Sequence, residues 1–286
     1  MSSQTAAAVP GRAALLAVRT ALRPYVRLTV AGFRQQSTYL GAAAAGVFTN
    51  AVFGFIKMAI LLATLAGAGG VAGGYTPELM VSYIFLSQGM LTAIGAFGGD
   101  GALAERIRTG DIAVDFLRPV NVQFATLATV LGGAVYSLIP RAVPLAAIGA
   151  ATSMMAWAGE PVAYPLALVS VLLSIVLAQA LLYCVQVLGF WVVDTRGIQM
   201  FYVVAGTFLM GMFVPVGLFP GWLARAAEFT PFAWILMPPC DILSGRIDAA
   251  AGATAVAAQA AWTAAVLAVG ALLTAAGRRR LEVQGG

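Results

Sequence analysis

The chain has 286 residues, 61% of them hydrophobic and only 9% charged, with a mean hydropathy of +0.91; this excludes an ordinary soluble domain and predicts an integral membrane protein. Its net charge of +5 comes with no histidine at all, which removes Ser-His-Asp and Cys-His catalysis, HExxH metalloprotease chemistry and most zinc sites. No GxxxxGKS/T sequence is present either, so ATP hydrolysis by a P-loop is excluded for this chain.

The first feature in chain order is a run of arginines, Arg12, Arg19, Arg23, Arg27 and Arg34, whose spacing keeps them on one side of a helix while Leu15, Leu22, Val26 and Val30 take other faces. This predicts a helix lying in the inner headgroup region, with Pro24 starting or kinking its second half. A solvated leader that only supplies positive charge fits the same pattern. The arginines leave no uninterrupted apolar stretch before a small-residue cleavage site between Gly11 and Gln36, so a cleavable signal peptide is not expected.

Apolar segments long enough to span a bilayer, about 20 residues, follow at Tyr39–Leu65, Leu79–Phe97, Leu138–Trp157, Ala163–Val193, Ile198–Val216 and Ala251–Ala276. Six transmembrane helices are therefore expected. Arg106, Arg108 and Arg118 follow the second segment, Arg196 the fourth, and Arg278, Arg279 and Arg280 the sixth; with the five N-terminal arginines they fall on one side, against Arg225 and Arg246 on the other. The positive-inside rule then places both termini in the cytoplasm. Residues Val122 to Ile139 are read as an interfacial or steeply tilted approach helix, kinked at Pro140, with Arg141 near the inner boundary. The expected divisions are a cytoplasmic N-terminus and interfacial helix over 1–38, a transmembrane domain over 39–277 and a cytoplasmic tail over 278–286.

The outer loops at Ala66 to Pro77 and around Gly159-Glu-Pro161 are too short for folded domains. Between Pro215 and Asp248, five prolines cut an apolar sequence into short helices such as Trp222 to Phe229 and Phe232 to Met237, expected to dip into the outer leaflet or cap the bundle. Cys184 and Cys240 read as packing residues and suggest neither a metal site nor a redox pair. No acidic residue falls in a span, which argues against ion-coupled transport. Lys57 is the one clear charge inside a span, roughly 15 Å from its outer end; it is a candidate for lining a polar pathway or meeting a carbonyl, and it also fits snorkelling to the interface.

The most informative stretch is the charged amphipathic island Arg106 to Asn121. Asp111 and Asp115 are four residues apart on one helix face beside Arg108 and Arg118, the pattern of a salt-bridged docking surface. A loop that only joins two spans is the plainer reading.

Four places in order, on a six-span plan, resemble the type-2 ABC transporter permeases, specifically the small six-helix bacterial ones without a large outer domain. They are Gly74-Tyr75 with Glu78-Leu79; Arg108-Thr-Gly-Asp-Ile112 through Leu117-Arg-Pro-Val120; Phe190-Trp191 with Asp194 and Gly197; and Phe219-Pro-Gly-Trp-Leu223 followed by Pro231-Phe232. The ending Leu281-Glu-Val-Gln-Gly-Gly286 also fits, and the likeness runs from about Pro24 to the C-terminus. The stretch from Gln123 to Ile139 departs from it, since relatives carry more basic residues there.

The resemblance implies the membrane-spanning subunit of an ATP-driven exporter, joined by two copies of a cytoplasmic ATPase that bring ATP and magnesium, and by a second copy of itself or a related permease. It implies a coupling helix formed by Gly110, Asp111, Ile112, Asp115, Phe116, Leu117 and Arg118, with Phe116 and Leu117 filling an apolar notch of the ATPase. Asp194 and Arg196 are candidates for a second cytoplasmic contact, and Phe213, Leu218, Phe219 and Trp222 for an outer gate, although these aromatics also fit an interfacial belt. No cofactor, metal or nucleic acid is expected. The scarcity of charge in the spans suits a hydrophobic or amphipathic small molecule, lipid or peptide. Fifteen arginines to one lysine, beside abundant alanine, point to a G+C-rich bacterial genome, and the resemblance implies the bacterial plasma (inner) membrane. An ion-coupled secondary carrier and a non-transporting membrane scaffold are the alternatives.

Overall fold

The computed structural model describes residues 10–38, 40–99, 101–192 and 194–281, and among them the only β-type pairing is an isolated bridge between Ala72 and Tyr75. Tyr39 and Val193, at the expected ends of two spans, and Glu282 to Gly286 of the terminal motif lie outside the described residues, as do the side chains of Arg12 and Leu15.

Helix α1 (Pro10–Ser37) runs unbroken through Pro24. Its glycine Gly32 lies against the Thr129 carbonyl of α6 (Val122–Ala151), and Gly132 of α6 lies against the Thr29 carbonyl, so the two backbones touch where any side chain would collide. Edge-to-face pairs Tyr25–Phe124 and Phe33–Tyr136 flank this crossing at 6.4 and 5.1 Å between ring centroids. The helix expected to lie in the inner headgroup region is packed along the first part of α6. Its outward side carries an apolar row, Leu22, Val26 and Val30, next to exposed Arg23 and Arg27.

Helix α2 (Leu40–Gly67) follows, with Phe48, Phe53, Ile56 and Ile60 exposed on its surface. Helix α3 (Pro77–Met90) is capped by the Thr76 hydroxyl and is largely buried, with Met80, Val81, Ile84 and Phe85 inaccessible. The second expected span is therefore shorter as a helix than its hydropathy suggests. The chain turns irregularly from Leu91 to Phe97, where Gly95 adopts φ +62° against the Gln179 amide, a conformation that stops a helix. This non-helical stretch is sheltered by protein, since Leu91, Ala93, Ile94 and Ala96 are all buried in the main core cluster.

Two short helices, α4 (Ala102–Thr109) and α5 (Ile112–Phe116), lead into α6. Asn121 caps α6, accepting from the Phe124 amide. The 30 residues of α6 continue through Pro140 and Pro144, so the expected approach helix and third span are one helix without a division at Pro140. Proline costs α6 two amide donors, a loss membrane helices tolerate where neighbours and side chains re-satisfy the backbone. The helix ends at Ala151, short of the expected Trp157. Arg141 rests against Gly46 of α2 with its Nε buried and unpaired.

Helix α7 (Ala163–Val187) ends in a 3-10 turn, Leu188–Phe190, and α8 (Arg196–Leu209) follows. The fifth expected span is likewise a 14-residue helix that gives way to turns at Met210. A 3-10 turn at Val216–Leu218, α9 (Gly221–Glu228) and α10 (Ala233–Ser244) follow before α11 (Ala249–Arg278); Pro215, Pro220 and Pro231 fall between these short elements as expected, but α10 runs through Pro238 and Pro239 to Ser244 rather than ending at Met237. Fully buried Gln259 of α11 pins α7 and α10: its amide donates to the Trp234 carbonyl at 2.7 Å and accepts from the Ser170 hydroxyl at 2.7 Å. Among the described residues, four helical stretches are long and apolar enough to cross a membrane, Ala43–Gly67, Val122–Ala151, Ala163–Phe190 and Ala249–Arg278. Cys184 and Cys240 are free thiols packed among apolar neighbours.

Candidate functional site

The loop between α3 and α6 is a compact helix pair. Gly110, at φ +84°, ends α4 in the left-handed conformation that lets the chain reverse into α5. Ile112 anchors the pair from beneath, 1% exposed in a cluster with Leu103, Ile107, Val122, Tyr183 and Val187. Asp115 fixes the geometry: it receives Arg106 at 2.6 Å and Arg118 at 3.3 Å. Asp111 accepts the Thr109 hydroxyl at 2.7 Å. Arg108 pairs with Glu105 at 2.5 Å, and this hydrogen bond holds the Glu105 carboxyl below its ordinary range.

Phe116 and Leu117 part company. Phe116 turns inward, its ring 6.4 Å from Phe190 and covered by the Arg278 guanidinium at 5.3 Å. Leu117 is 85% exposed, with Val114 beside it in sequence at 53%. Of the two residues expected to fill a notch, only Leu117 is presented. The sequence reading used Arg278 to Arg280 only for topology, yet Arg278 covers Phe116 and Arg280 lies 5.9 Å from Trp191. The α11 terminus is thereby part of this face.

Asp194 and Arg196 lie on the same side of the molecule, sharing a cavity lining with Glu105 and Arg108. The Arg196 amide and guanidinium both donate to Asp194, at 2.9 and 3.1 Å, and lower its carboxyl affinity for protons. Both side chains are exposed.

At the opposite end the four outer candidates also divide. Phe219 stacks on Phe208 at 5.0 Å and Leu218 packs against the cluster around Tyr75, whereas Phe213 and Trp222 are 56% and 69% exposed. Lys57 donates to the Met212 carbonyl and lies 6.0 Å from the Phe213 ring, so it meets a carbonyl within this chain.

A polar cluster here was missed by the sequence reading. Asp241, 4% exposed, accepts from Nε and Nη2 of the Arg246 guanidinium and from the Tyr75 hydroxyl, the last at 3.3 Å. The signal available was a lone aspartate in the apolar run before Arg246. Tyr83 adds a tie, donating to the Gly211 carbonyl at 2.8 Å.

Long apolar helices thus carry a polar helix pair at one end and short, proline-rich elements at the other. The family model described as ABC-2 family transporter protein matches residues 51–285, and the chain belongs to that family. It is accordingly a multi-pass membrane component of a transporter, not itself catalytic, in a family that generally associates with an ABC ATPase component. Comparisons with curated proteins and with solved structures return no significant match.

Proposed function

We propose that this chain is the membrane-spanning permease of an ATP-driven exporter in a bacterial plasma membrane, and that two such permeases, identical or related, work with two ATPase subunits that bind ATP and magnesium. Six passages with both termini inside account for the helices, if α3 with residues 91–97 and α8 with residues 210–216 serve as the second and fifth. The docking element is the helix pair bearing Gly110, Asp111, Ile112, Asp115, Phe116, Leu117 and Arg118, with Asp194 and Arg196 as a second contact.

One observation carries this reading: Leu117 projects from a loop that is otherwise braced by Asp115, Arg106 and Arg118 and anchored by Ile112. An exposed apolar side chain on a rigid polar support is the form of an interface anchor. Because the loop is packed on α7 and α11 through Phe116, Phe190 and Arg278, a push on it moves helices. ATP-driven closure would shift the permease pair between inward-open and outward-open states. Phe213 and Trp222, supported by Leu218 and Phe219, form the outer constriction, with Lys57 holding the segment behind it.

The cargo class is a hydrophobic or amphipathic small molecule, lipid or peptide. Proteoliposomes containing the permease and its ATPase test this. Export should require ATP, cease when the ATPase is omitted and survive collapse of the ion gradients. Transport without the ATPase that stops with the gradient would establish an ion-coupled carrier instead.

A further inference from the structure

A cavity of about 670 Å³ lies between α1, the start of α6 and the helix-pair loop. Four arginines reach its lining, Arg23 and Arg27 from α1 and Arg106 and Arg118 from the loop, against a single carboxylate, Asp115. Asp115 is already shared by Arg106 and Arg118. Among the described residues no carboxylate pairs with Arg23 or Arg27. Arg23 and Arg27 are both exposed, so their guanidinium donors are accessible at this mouth. The space therefore has an excess of fixed positive charge, accessible donors and room for a small anionic group.

We propose that this cavity binds the phosphate headgroup of an anionic phospholipid from the inner leaflet. Phosphate matches the planar, multi-donor guanidinium groups. The choice of a lipid over a free anion or an acidic protein surface rests on α1. Its exposed apolar row, Leu22, Val26 and Val30, runs beside Arg23 and Arg27, so a helix face suited to acyl chains borders the basic mouth. The wall continues in apolar Leu28, Val122 and Ala125, which suits the glycerol and upper chain. A concave site also fits a headgroup better than a protein surface. Since Arg106 and Arg118 are the residues that hold Asp115, an occupant would share the braces of the docking loop and link lipid composition to ATPase engagement.

The inner-leaflet assignment rests on the proposed inward placement of the termini, whereas the binding itself is measurable without any ATPase. Native mass spectrometry of the full purified chain, delipidated and then given phosphatidylglycerol, phosphatidylcholine or inorganic phosphate, is the test. Phosphatidylglycerol should be retained on the order of tenfold better than phosphatidylcholine, and R23Q/R27Q should abolish that preference while Arg225→Gln keeps it. The charge-preserving R23K/R27K should restore most of it, separating lost charge from a disturbed fold. Equal retention of the two lipids, or an unchanged preference in R23Q/R27Q, would overturn the proposal. So would capture of inorganic phosphate without the anionic lipid. If R23Q/R27Q instead sheds a co-purifying ATPase while lipid retention stays unchanged, the arginines serve a protein contact and the lipid site is refuted.

Discussion

Arg246 grips Asp241 side-on through the Nε–Nη2 edge of its guanidinium, Nε reaching Oδ1 at 2.6 Å, while the same group lies 4.8 Å from the centre of the Tyr75 ring. The contact joins the end of α10 to the turn before α11 and, through Tyr75, to the loop between α2 and α3. Three segments at this end of the molecule thus share one ion pair whose carboxylate is buried.

Arg246→Met leaves the Asp241 carboxylate buried without its cation and should cost about 3 kcal/mol of stability, read as a lowered unfolding temperature in detergent. Adding Asp241→Leu should recover most of the loss, because a buried ion pair and an apolar pair of similar volume are close in energy. If the single and double variants melt together, the pair is not what ties these segments.

This pair marks a limit of reading the sequence. Long apolar runs announced α2, α7 and α11, and the charged stretch Arg106 to Arg118 announced a polar break between apolar helices, because hydropathy and charge are properties of the sequence itself. Where helices stop depends on local backbone conformation and shelter: α3 gives way at Met90 to buried turns that include Gly95 in the left-handed region, and α6 continues through Pro140. Asp241 was invisible because its burial depends on a partner five residues away and on Tyr75 from another loop. The inward turn of Phe116 depends likewise on Phe190 and on Arg278, at the far end of the chain.

Leu117→Asp should leave the chain folded and inserted yet reduce ATPase co-purification at least tenfold, the size expected for an interface anchor. Phe116→Asp should instead lower the melting temperature, since its ring packs on Phe190 and beneath Arg278. Comparable melting temperatures with opposite ATPase retention would reverse these assignments.

Gly132→Val places a branched side chain against the Thr29 carbonyl at the α1–α6 crossing. The clash should push α1 away and expose it to limited proteolysis, with stability lower by roughly 1–3 kcal/mol. Unchanged cleavage of α1 would show that the helices do not pack this closely.

Lys57→Met removes the donor to the Met212 carbonyl and frees the segment that carries Phe213. Dye leakage from proteoliposomes without ATP should rise, while ATPase co-purification is unaffected. A tight, fully transporting variant would confine Lys57 to a structural contact and remove it from the gate.

The most direct measurement is mass spectrometry of what co-purifies with the tagged chain from its native membrane in mild detergent. A stoichiometric soluble ATPase with Walker motifs, in two copies beside two permeases, is expected. Isolation of the permease alone, under conditions in which other membrane complexes stay whole, would contradict it.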